Sequence, residues 1–236
     1  MPPVIIAHRT LPRDAPENSL QGIRTAAAHG ADFVEIDVRL TADGVPVLLH
    51  DQLLVRTAWW PFHVSWVSSD RIRRTRLRGS HEPVPTFADA VAALPEGLGL
   101  AIDTKDPLAA EAVVAELRNQ GALHRALLWA QSERAVRRYA THAGDEAGEV
   151  ALLRDALTPD AIDRFLHDAR AFGATAISAH QASVDVAFIE RAHDLGVRVH
   201  CWFQDEATQQ AKARLPLDGI VTDWPVAARR LVEAGG

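Results

Sequence analysis

The stretch VEIDVRLTADGVPVLLHD (residues 34–51) contains two acidic residues in an apolar run, a turn sequence, and a second apolar run that ends at His-Asp. Asp-Gly between two apolar runs is typical of a tight β-hairpin. A parallel neighbour would need a long crossover, and the turn sequence leaves no room for one. We therefore predict a strand over 32–38 and an antiparallel arm over 45–50 that folds back beside its C-terminal end.

This hairpin brings a histidine close to the acidic residues. With a two-residue loop at Asp43-Gly44, counting back along both arms places His50 opposite Asp37. A slip of one residue would leave His50 beside the same acids. The fold-back is therefore expected to deliver an imidazole to a pair of carboxylates.

Side chains alternate between the two faces of a strand, and here the two faces differ in character. Glu35 and Asp37 share one face of the first arm, while the aliphatic residues beside them share the other. The run at 98–105 has the same division, with Asp103 and Lys105 on the face that carries its small residues. We expect the aliphatic faces to pack against helices and the charged side chains to point the other way.

Short apolar runs alternate with amphipathic helical patterns along the whole chain, which favours a parallel sheet covered by helices. Eight runs fit as strands, the number that closes a TIM barrel in about 250 residues. The runs are 4–9, 32–38, 98–105, 126–131, 149–154, 175–180, 197–203 and 218–223. We predict an α/β fold of the (β/α)8 TIM-barrel class, with a short β-hairpin extension after strand two and a small insertion at about 52–84. Residues 1–236 are expected to form a single barrel domain.

Composition limits the classes of function and the cellular compartments to consider. The formal charge is −6, which argues against a nucleic-acid partner, because nucleic-acid binders carry a basic surface. The chain has one cysteine, so a reducing compartment is expected. Neither a signal peptide nor an apolar stretch of roughly 20 residues, long enough to span a bilayer, is evident. We predict a cytoplasmic protein.

Polar residues collect at the ends of the predicted strands, where barrel enzymes build their active sites. Glu35, Asp37 and Asp103 would repel one another in one cavity unless a cation were bound. All-oxygen ligands favour a hard ion, so we predict one divalent cation, Mg²⁺ or Ca²⁺. The other candidates at these strand ends are His8, Arg9, His50, Lys105, Ser178, His180, Trp202 and Asp223.

The chemistry of these candidates points to a phosphodiester. Arg9 and Lys105 add positive charge that suits an anionic phosphate ester. His8 and His50 are suited to general acid and general base roles. A small-molecule phosphodiester is therefore the expected substrate class, and the oligomeric state is left open.

Several motifs in the same order resemble the glycerophosphodiester phosphodiesterase family. They are AHRT (7–10), PEN (16–18), EIDV (35–38), TADG (41–44), HD (50–51), VPTF (84–87), IDTK (102–105) and GIVTDWP (219–225). The resemblance implies a barrel enzyme that hydrolyses glycerophosphodiesters to sn-glycerol 3-phosphate and an alcohol. It also implies a metal site at Glu35, Asp37 and Asp103.

The resemblance further implies that His8 and His50 share the acid and base roles, without deciding which is which. Arg9 and Lys105 would hold the phosphate, and Trp202 would form a wall of the substrate site. The implied route has two steps. The glycerol 2-hydroxyl attacks phosphorus to give a cyclic phosphate, which water then opens with the histidine roles reversed.

Thr10 and Asp103 depart from the family pattern, as do Phe203, Gln204 and Asp205 after Trp202. Thr10 replaces a glycine, which is unfavourable if that residue needs a positive φ. Asp103 replaces a glutamate, so one metal ligand is a methylene shorter. Two alternatives therefore stay open: a lysophospholipase D or sphingomyelinase D-like phosphodiesterase, and a phosphate-ester-binding barrel that has lost its activity.

Other residues near the predicted site have local interpretations. We expect Asn18 to cap the helix that follows it, Glu17 to steady Arg9, and Asp223 to cap the last helix. An equally weighted alternative is that Glu17 and Asn18 take a direct part in the site. For His180 and His200 we expect structural roles.

The insertion has an unusual composition. It contains Trp59, Trp60 and Trp66, three of the six tryptophans of the chain. One interpretation is a cluster packed over the barrel mouth. The other is an apolar lip that admits a lysophospholipid chain or makes transient contact with a membrane surface.

Overall fold

The computed structural model describes residues 2–155 and 157–235. Its strands are β1 (Val4–Ala7), β2 (Phe33–Leu40), β3 (Pro46–Leu48), β4 (Gly99–Thr104), β5 (Ala126–Ala130), β6 (Glu149–Arg154), β7 (Ala176–His180), β8 (Arg198–Trp202) and β9 (Gly219–Thr222). All except β3 pair in parallel, and pairing of β1 with both β9 and β2 closes the sheet. The predicted (β/α)8 barrel and its eight strands are confirmed.

Helices connect and cover the strands. They are α1 (Leu20–Ala28), α2 (Val55–Ala58), α3 (Ser69–Ile72), α4 (Phe87–Ala92), α5 (Ala110–Asn119), α6 (Glu133–His142), α7 (Pro159–Phe172), α8 (Val186–Asp194), α9 (Glu206–Lys212) and α10 (Pro225–Gly235). Short 3-10 turns lie at His8–Thr10, Val64–Trp66, Leu123–Arg125 and Gly144–Glu146. Within the described ranges, no helix combines the length and the apolar character needed to cross a membrane.

The two faces of the barrel strands belong to different apolar clusters. Val34, Ile36 and Ile102 pack outward into the large cluster shared with the helices. A smaller cluster fills the inside of the barrel, where Ala101 and Trp129 lie. The face assignment made from side-chain alternation is confirmed, because the acids alternate with the outward-facing aliphatic residues.

The hairpin register differs by one residue from the prediction. Strand β3 pairs with β2 so that Val38 lies opposite Leu48. Leu49, and not His50, therefore lies opposite Asp37, and the amide of Leu49 donates to the carbonyl of Asp37 at 3.0 Å. The loop has three residues instead of two, and Gly44 ends it at φ 77°. The placement of His50 opposite Asp37 is therefore wrong by one position. A glycine in the left-handed region is typical of this three-residue hairpin loop.

The insertion at about 52–84 has a small apolar core of its own. Eight buried residues from the hairpin arm and the insertion form this core: Val47, Leu49, Leu54, Val64, Val67, Ile72, Leu77 and Val84. Backbone hydrogen bonds join it to the barrel, including Leu48 N to the carbonyl of Pro85 at 3.0 Å. The insertion is thus a packed structure beside β2.

The chain leaves β1 through a turn of unusual backbone geometry. Arg9, Thr10 and Leu11 have φ values of 42°, 58° and 61°. Thr10 therefore adopts the left-handed conformation that disfavours a β-branched residue. Its buried hydroxyl accepts from the amide of Ser19 at 3.1 Å and donates to the carbonyl of Pro16 at 3.3 Å. These contacts fix the turn that presents His8 and Arg9.

The same turn packs directly on helix α1, which makes Gly22 a sensitive position. A Cβ at Gly22 would collide with the backbone carbonyl of Thr10. We expect Gly22→Ala to lower the free energy of unfolding by about 1–3 kcal/mol, the usual cost of overpacking, in urea titrations. Gly148→Ala is the control, because its added methyl would lie 3.2 Å from the nearest atom. Equal losses in the two variants would contradict this close approach.

Candidate active site

A cavity of about 460 Å³ opens at the C-terminal ends of the barrel strands. Its lining includes eight of the eleven candidates from the sequence on one side, namely His8, Arg9, Glu35, Asp37, His50, Asp103, Lys105 and Trp202, whereas Asp223 does not line it. The opposite wall is formed by residues from β5 to β8 and their loops. It includes Gln131, Arg154, Asp155, Ser178, His180 and Gln204.

Three buried carboxylates meet on one side of this cavity. Asp37 on β2 lies directly beside Asp103 on β4 in the parallel register, and Glu35 precedes Asp37 on the same strand face. One oxygen from each of the three carboxylates lies within 4.8 Å of the others. The structure thus gathers the three predicted metal ligands.

Two basic side chains accompany the carboxylates. Lys105 Nζ lies 3.1 Å from Asp37 Oδ1 and contacts Asp103. Arg9 Nε lies 3.5 Å from Asp37 Oδ2, and the backbone amide of Arg9 donates to Glu35 Oε2 at 2.7 Å. Within the described residues, the buried Arg9 Nε has no hydrogen-bond acceptor, and Asp37 is its ion-pair partner.

The positive charge within the cluster is unevenly shared. Burial alone would raise the pKa of Asp37, but Lys105 and Arg9 outweigh it and lower the pKa to about 2. Burial and the neighbouring carboxylates raise the pKa of Glu35 well above its ordinary value. Burial also raises the pKa of Asp103, despite the contact with Lys105. The protein's own cations therefore stabilise one carboxylate and leave two under-compensated.

The donor set fits a hard divalent cation. The Oδ1 atom of Asp103 is buried and has neither a hydrogen-bond partner nor an ion-pair partner among the described residues, whereas the buried Oδ1 of Asp37 faces Lys105. Buried carboxylate oxygens without partners are costly unless a cation satisfies them. Three carboxylates with converging oxygens match the ligand preference of Mg²⁺ and Ca²⁺.

Both predicted catalytic histidines are paired with carboxylates. His8 Nδ1 lies 2.9 Å from Asp223 Oδ1, and His50 Nδ1 lies 2.7 Å from Asp51 Oδ1. A carboxylate on Nδ1 accepts its hydrogen, which leaves Nε2 as the ring nitrogen free to exchange a proton. The expected helix-cap role of Asp223 is wrong, since its side chain binds His8 and helix α10 begins at Pro225, which puts Trp224 at the cap position.

Asp51 belongs to a longer chain of ion pairs. Arg56 Nε donates to Asp51 Oδ2 at 2.5 Å, and the same guanidinium binds both oxygens of Glu17. Glu17 therefore supports the His50 side of the site through Arg56, and the expectation that it steadies Arg9 is wrong. Its long-range partner lies in the insertion, which local sequence patterns do not reveal.

Asn18 holds Asp37 in place. Its Nδ2 donates to Asp37 Oδ2 at 2.9 Å, and its Oδ1 accepts from the amide of Asp37 at 2.9 Å. Ser19 rather than Asn18 caps helix α1, with its hydroxyl accepting from the amide of Gly22 at 2.9 Å. The predicted cap is therefore one residue too early, and Asn18 instead fixes a carboxylate of the cluster.

Trp202 and two further histidines lie on the β7–β8 side. The Trp202 ring is 5.5 Å from that of His8 and 5.1 Å from that of His180, and its Nε1 is buried without a partner among the described residues. His200 points into the barrel lower down, where its Nε2 lies 2.8 Å from Glu149. His180 thus lines the cavity, whereas His200 belongs to the packed interior.

Three converging carboxylates and two carboxylate-paired histidines thus lie at the C-terminal ends of the barrel strands, where enzymes of this fold build their active sites. The chain belongs to the glycerophosphoryl diester phosphodiesterase family, whose sequence profile matches residues 8–227. The resemblance identified from the motifs is therefore confirmed.

Several known proteins are similar to this chain. A probable glycerophosphodiester phosphodiesterase 2 from Mycobacterium tuberculosis is 29% identical over 232 residues, covering 94% of this chain and 87% of the relative. Glycerophosphodiester phosphodiesterase 1 from Bos taurus is 41% identical over 95 residues, covering 37% of this chain. That match spans only 29% of the length of the bovine relative.

Solved structures share the fold. A putative glycerophosphodiester phosphodiesterase from Galdieria sulphuraria superposes with a TM-score of 0.84 at 17% identity, covering 98% of both chains. An Oleispira antarctica phosphodiesterase in complex with the product sn-glycerol-3-phosphate gives 0.82 at 22% identity, covering 98% of this chain and 97% of that one.

The raised pKa of Glu35 predicts how stability changes with pH. Because the folded protein holds its proton more tightly, stability falls as the pH rises from the ordinary value of 4.5 through the raised value. We expect Glu35→Gln to increase the free energy of unfolding of chelator-treated protein at neutral pH, by about 1.4 kcal/mol for each unit of the raised pKa. The gain should shrink toward about pH 4.5, where glutamate is protonated in both states.

Urea titrations with a chelator across this pH range measure the effect. Glu190→Gln, at an exposed position on α8, is the control for removal of one negative charge. A Glu35→Gln variant that is less stable than the wild type at neutral pH would show that Lys105 and Arg9 already compensate all three carboxylates.

Proposed function

We propose that this protein hydrolyses glycerophosphodiesters to sn-glycerol 3-phosphate and an alcohol with the help of one divalent cation, Mg²⁺ or Ca²⁺. The observation that carries the proposal is the convergence of Glu35, Asp37 and Asp103 at the barrel mouth, with Asp103 Oδ1 buried and unpartnered, in a chain of this family. The product complex of the Oleispira antarctica phosphodiesterase supports the same substrate class by analogy.

Arg9 and Lys105 are proposed to bind the phosphate beside the carboxylates. The guanidinium of Arg9 lies beside Asp37, and Lys105 bridges Asp37 and Asp103. A bound divalent cation would polarise a phosphoryl oxygen and offset the negative charge that builds up there. Glu35, Asp37 and Asp103 would be its protein ligands.

His8 and His50 are proposed to transfer the protons. In the first step one imidazole takes the proton of the substrate's 2-hydroxyl as that oxygen attacks phosphorus, and the other protonates the departing alcohol oxygen. In the second step the roles reverse, so that water opens the cyclic phosphate and restores both protonation states. Asp223 and Asp51 hold the two rings by their Nδ1 atoms throughout.

Trp202 is proposed to form the wall along which the substrate lies. Its ring stands between His8 and His180, and its buried indole N–H points to a donor role toward a substrate oxygen. Residues 1–236 are proposed to form one catalytic domain. A cytoplasmic location stays a prediction from the sequence.

Histidine variants test the catalytic assignment. We expect His8→Ala and His50→Ala each to lower kcat for glycerophosphocholine by about 10²-fold or more, the usual contribution of a positioned acid or base. Asp223→Asn should lower kcat more than it changes KM, because the ring remains in place but its tautomer is no longer fixed. His167→Ala, at an exposed position on α7, is the control. Full activity in His50→Ala would refute the assigned role.

Metal removal and a substrate panel test the reaction itself. We expect chelation to abolish turnover and Mg²⁺, Ca²⁺ or Mn²⁺ to restore it to different extents, as measured by release of the alcohol. A glycerophosphocholine analogue without the 2-hydroxyl should inhibit without being cleaved, because it lacks the attacking oxygen. Cleavage of that analogue would rule out the cyclic route.

The same panel separates the alternatives. Faster turnover of lysophosphatidylcholine than of glycerophosphocholine would favour the lysophospholipase D interpretation. Binding of glycerophosphodiesters without turnover under any metal condition would favour a barrel that only binds phosphate esters.

A further inference from the structure

The insertion exposes large apolar side chains that the proposed reaction does not use. Leu53 is 51% exposed, Trp59 67%, Phe62 41% and Trp66 76%. Together with Arg71 and Arg78, which stack on neighbouring rings, these residues are called the aromatic–arginine surface. A contiguous group of exposed apolar side chains often marks a site of interaction with another molecule or a membrane.

The aromatic–arginine surface is held on a packed base. Leu53 pairs with His63 in a β-bridge, and the amide of Leu54 donates to the carbonyl of Phe62 at 3.1 Å. Leu54 itself is fully buried in the core of the insertion. The exposed side chains therefore project from an ordered structure.

Positive charge is interleaved with these rings. The guanidinium of Arg78 lies 3.8 Å from the centre of the Trp59 ring, and that of Arg71 lies 4.5 Å from the centre of the Trp60 ring. Arg71, Arg74, Arg76 and Arg78 are all exposed, and none forms an ion pair with a carboxylate in the described part of the chain. Their charges are therefore free to meet an anionic partner.

The charge balance of the insertion is opposite to that of the protein. Residues 52–84 contain six arginines and two acidic residues, whereas the whole chain has a formal charge of −6. Tryptophan, leucine and arginine side chains on one surface are typical of segments that lie at the boundary between lipid headgroups and acyl chains. Anionic headgroups add an attraction to each arginine.

This surface adjoins the candidate active site. A groove of about 440 Å³ is lined by Leu53 of this surface together with His50, Asp51, Val55 and Arg56. His50 also lines the main cavity. A flat partner that covers Leu53 and Val55 would therefore lie next to the barrel mouth.

We propose that the aromatic–arginine surface docks the protein reversibly onto an anionic lipid surface, with the barrel mouth beside that surface. A second copy of the chain is a poorer occupant, because a symmetric contact would bring the unpaired arginines of both copies together. An uncharged partner would leave them without compensation. The proposal concerns binding and does not depend on the phosphodiesterase activity.

Vesicle co-sedimentation tests this proposal with the full chain. We expect binding to vesicles of phosphatidylcholine mixed with phosphatidylglycerol, little binding to phosphatidylcholine alone, and weaker binding at high salt. Arg71→Glu with Arg78→Glu should weaken binding on the order of tenfold or more, given the attraction of each arginine to an anionic surface. Trp59→Ser with Trp66→Ser should weaken it similarly by removing the apolar anchor.

Two control pairs match these changes. Arg134→Glu with Arg164→Glu makes the same charge change on α6 and α7, and Val186→Ser with Val226→Ser removes apolar side chains that are 47% and 40% exposed. Both control pairs should bind vesicles as the wild type does, and circular dichroism should show all variants folded.

Three results would overturn the proposal. The first is wild-type protein that ignores anionic vesicles, and the second is binding that falls equally in the control pairs. The third is that Trp59→Ser with Trp66→Ser leaves vesicle binding unchanged and alters the oligomeric state in sedimentation velocity. That result would assign the surface to a contact between copies of the chain.

Discussion

The site depends on one electrostatic constraint, which is that three carboxylates share a buried corner of the barrel mouth. The Asp37 carboxylate lies beside Lys105 and Arg9 and accepts a hydrogen bond from Asn18, whose side-chain oxygen in turn accepts from the Asp37 amide. These contacts outweigh burial, and the pKa of this carboxyl group falls to about 2. Glu35 and Asp103 are less compensated, and their pKa values rise. Protonation or a bound cation relieves the repulsion in such a cluster, and the divalent cation of the proposed reaction would supply that positive charge.

The supporting residues come from distant parts of the chain. The turn after β1 supplies the amide that binds Glu35, the segment before α1 supplies Asn18, and the end of β9 supplies Asp223. The insertion contributes Arg56, which joins Asp51 to Glu17. Glu35, Asp37 and His8 are thus each held by a partner from another part of the chain, whereas the partner of His50 is the next residue, Asp51.

Local patterns predicted the barrel and the strand ends where the candidate residues lie, because both follow from periodicity, whereas the roles of those residues rest on the family motifs. Alternation along β2 and β4 determines which residues face inward, and parallel pairing then brings Asp37 beside Asp103. The hairpin register was missed by one residue, because the loop length depends on the conformation of Gly44. Asn18, Glu17 and Asp223 were misassigned for another reason. Their partners are remote in sequence, so capping rules were the only local guide.

The contact between His8 and Asp223 spans 215 positions of the chain and lies where β9 closes the barrel against β1. During synthesis His8 leaves the ribosome long before Asp223, so the pair of His8 and Asp223 cannot form until the last strand, β9, joins the barrel. Contacts of such long sequence separation form late, because the loop between them must first be ordered. In the proposed enzyme, the proton-transfer pair of His8 and Asp223 would therefore be assembled only when β9 has joined the barrel.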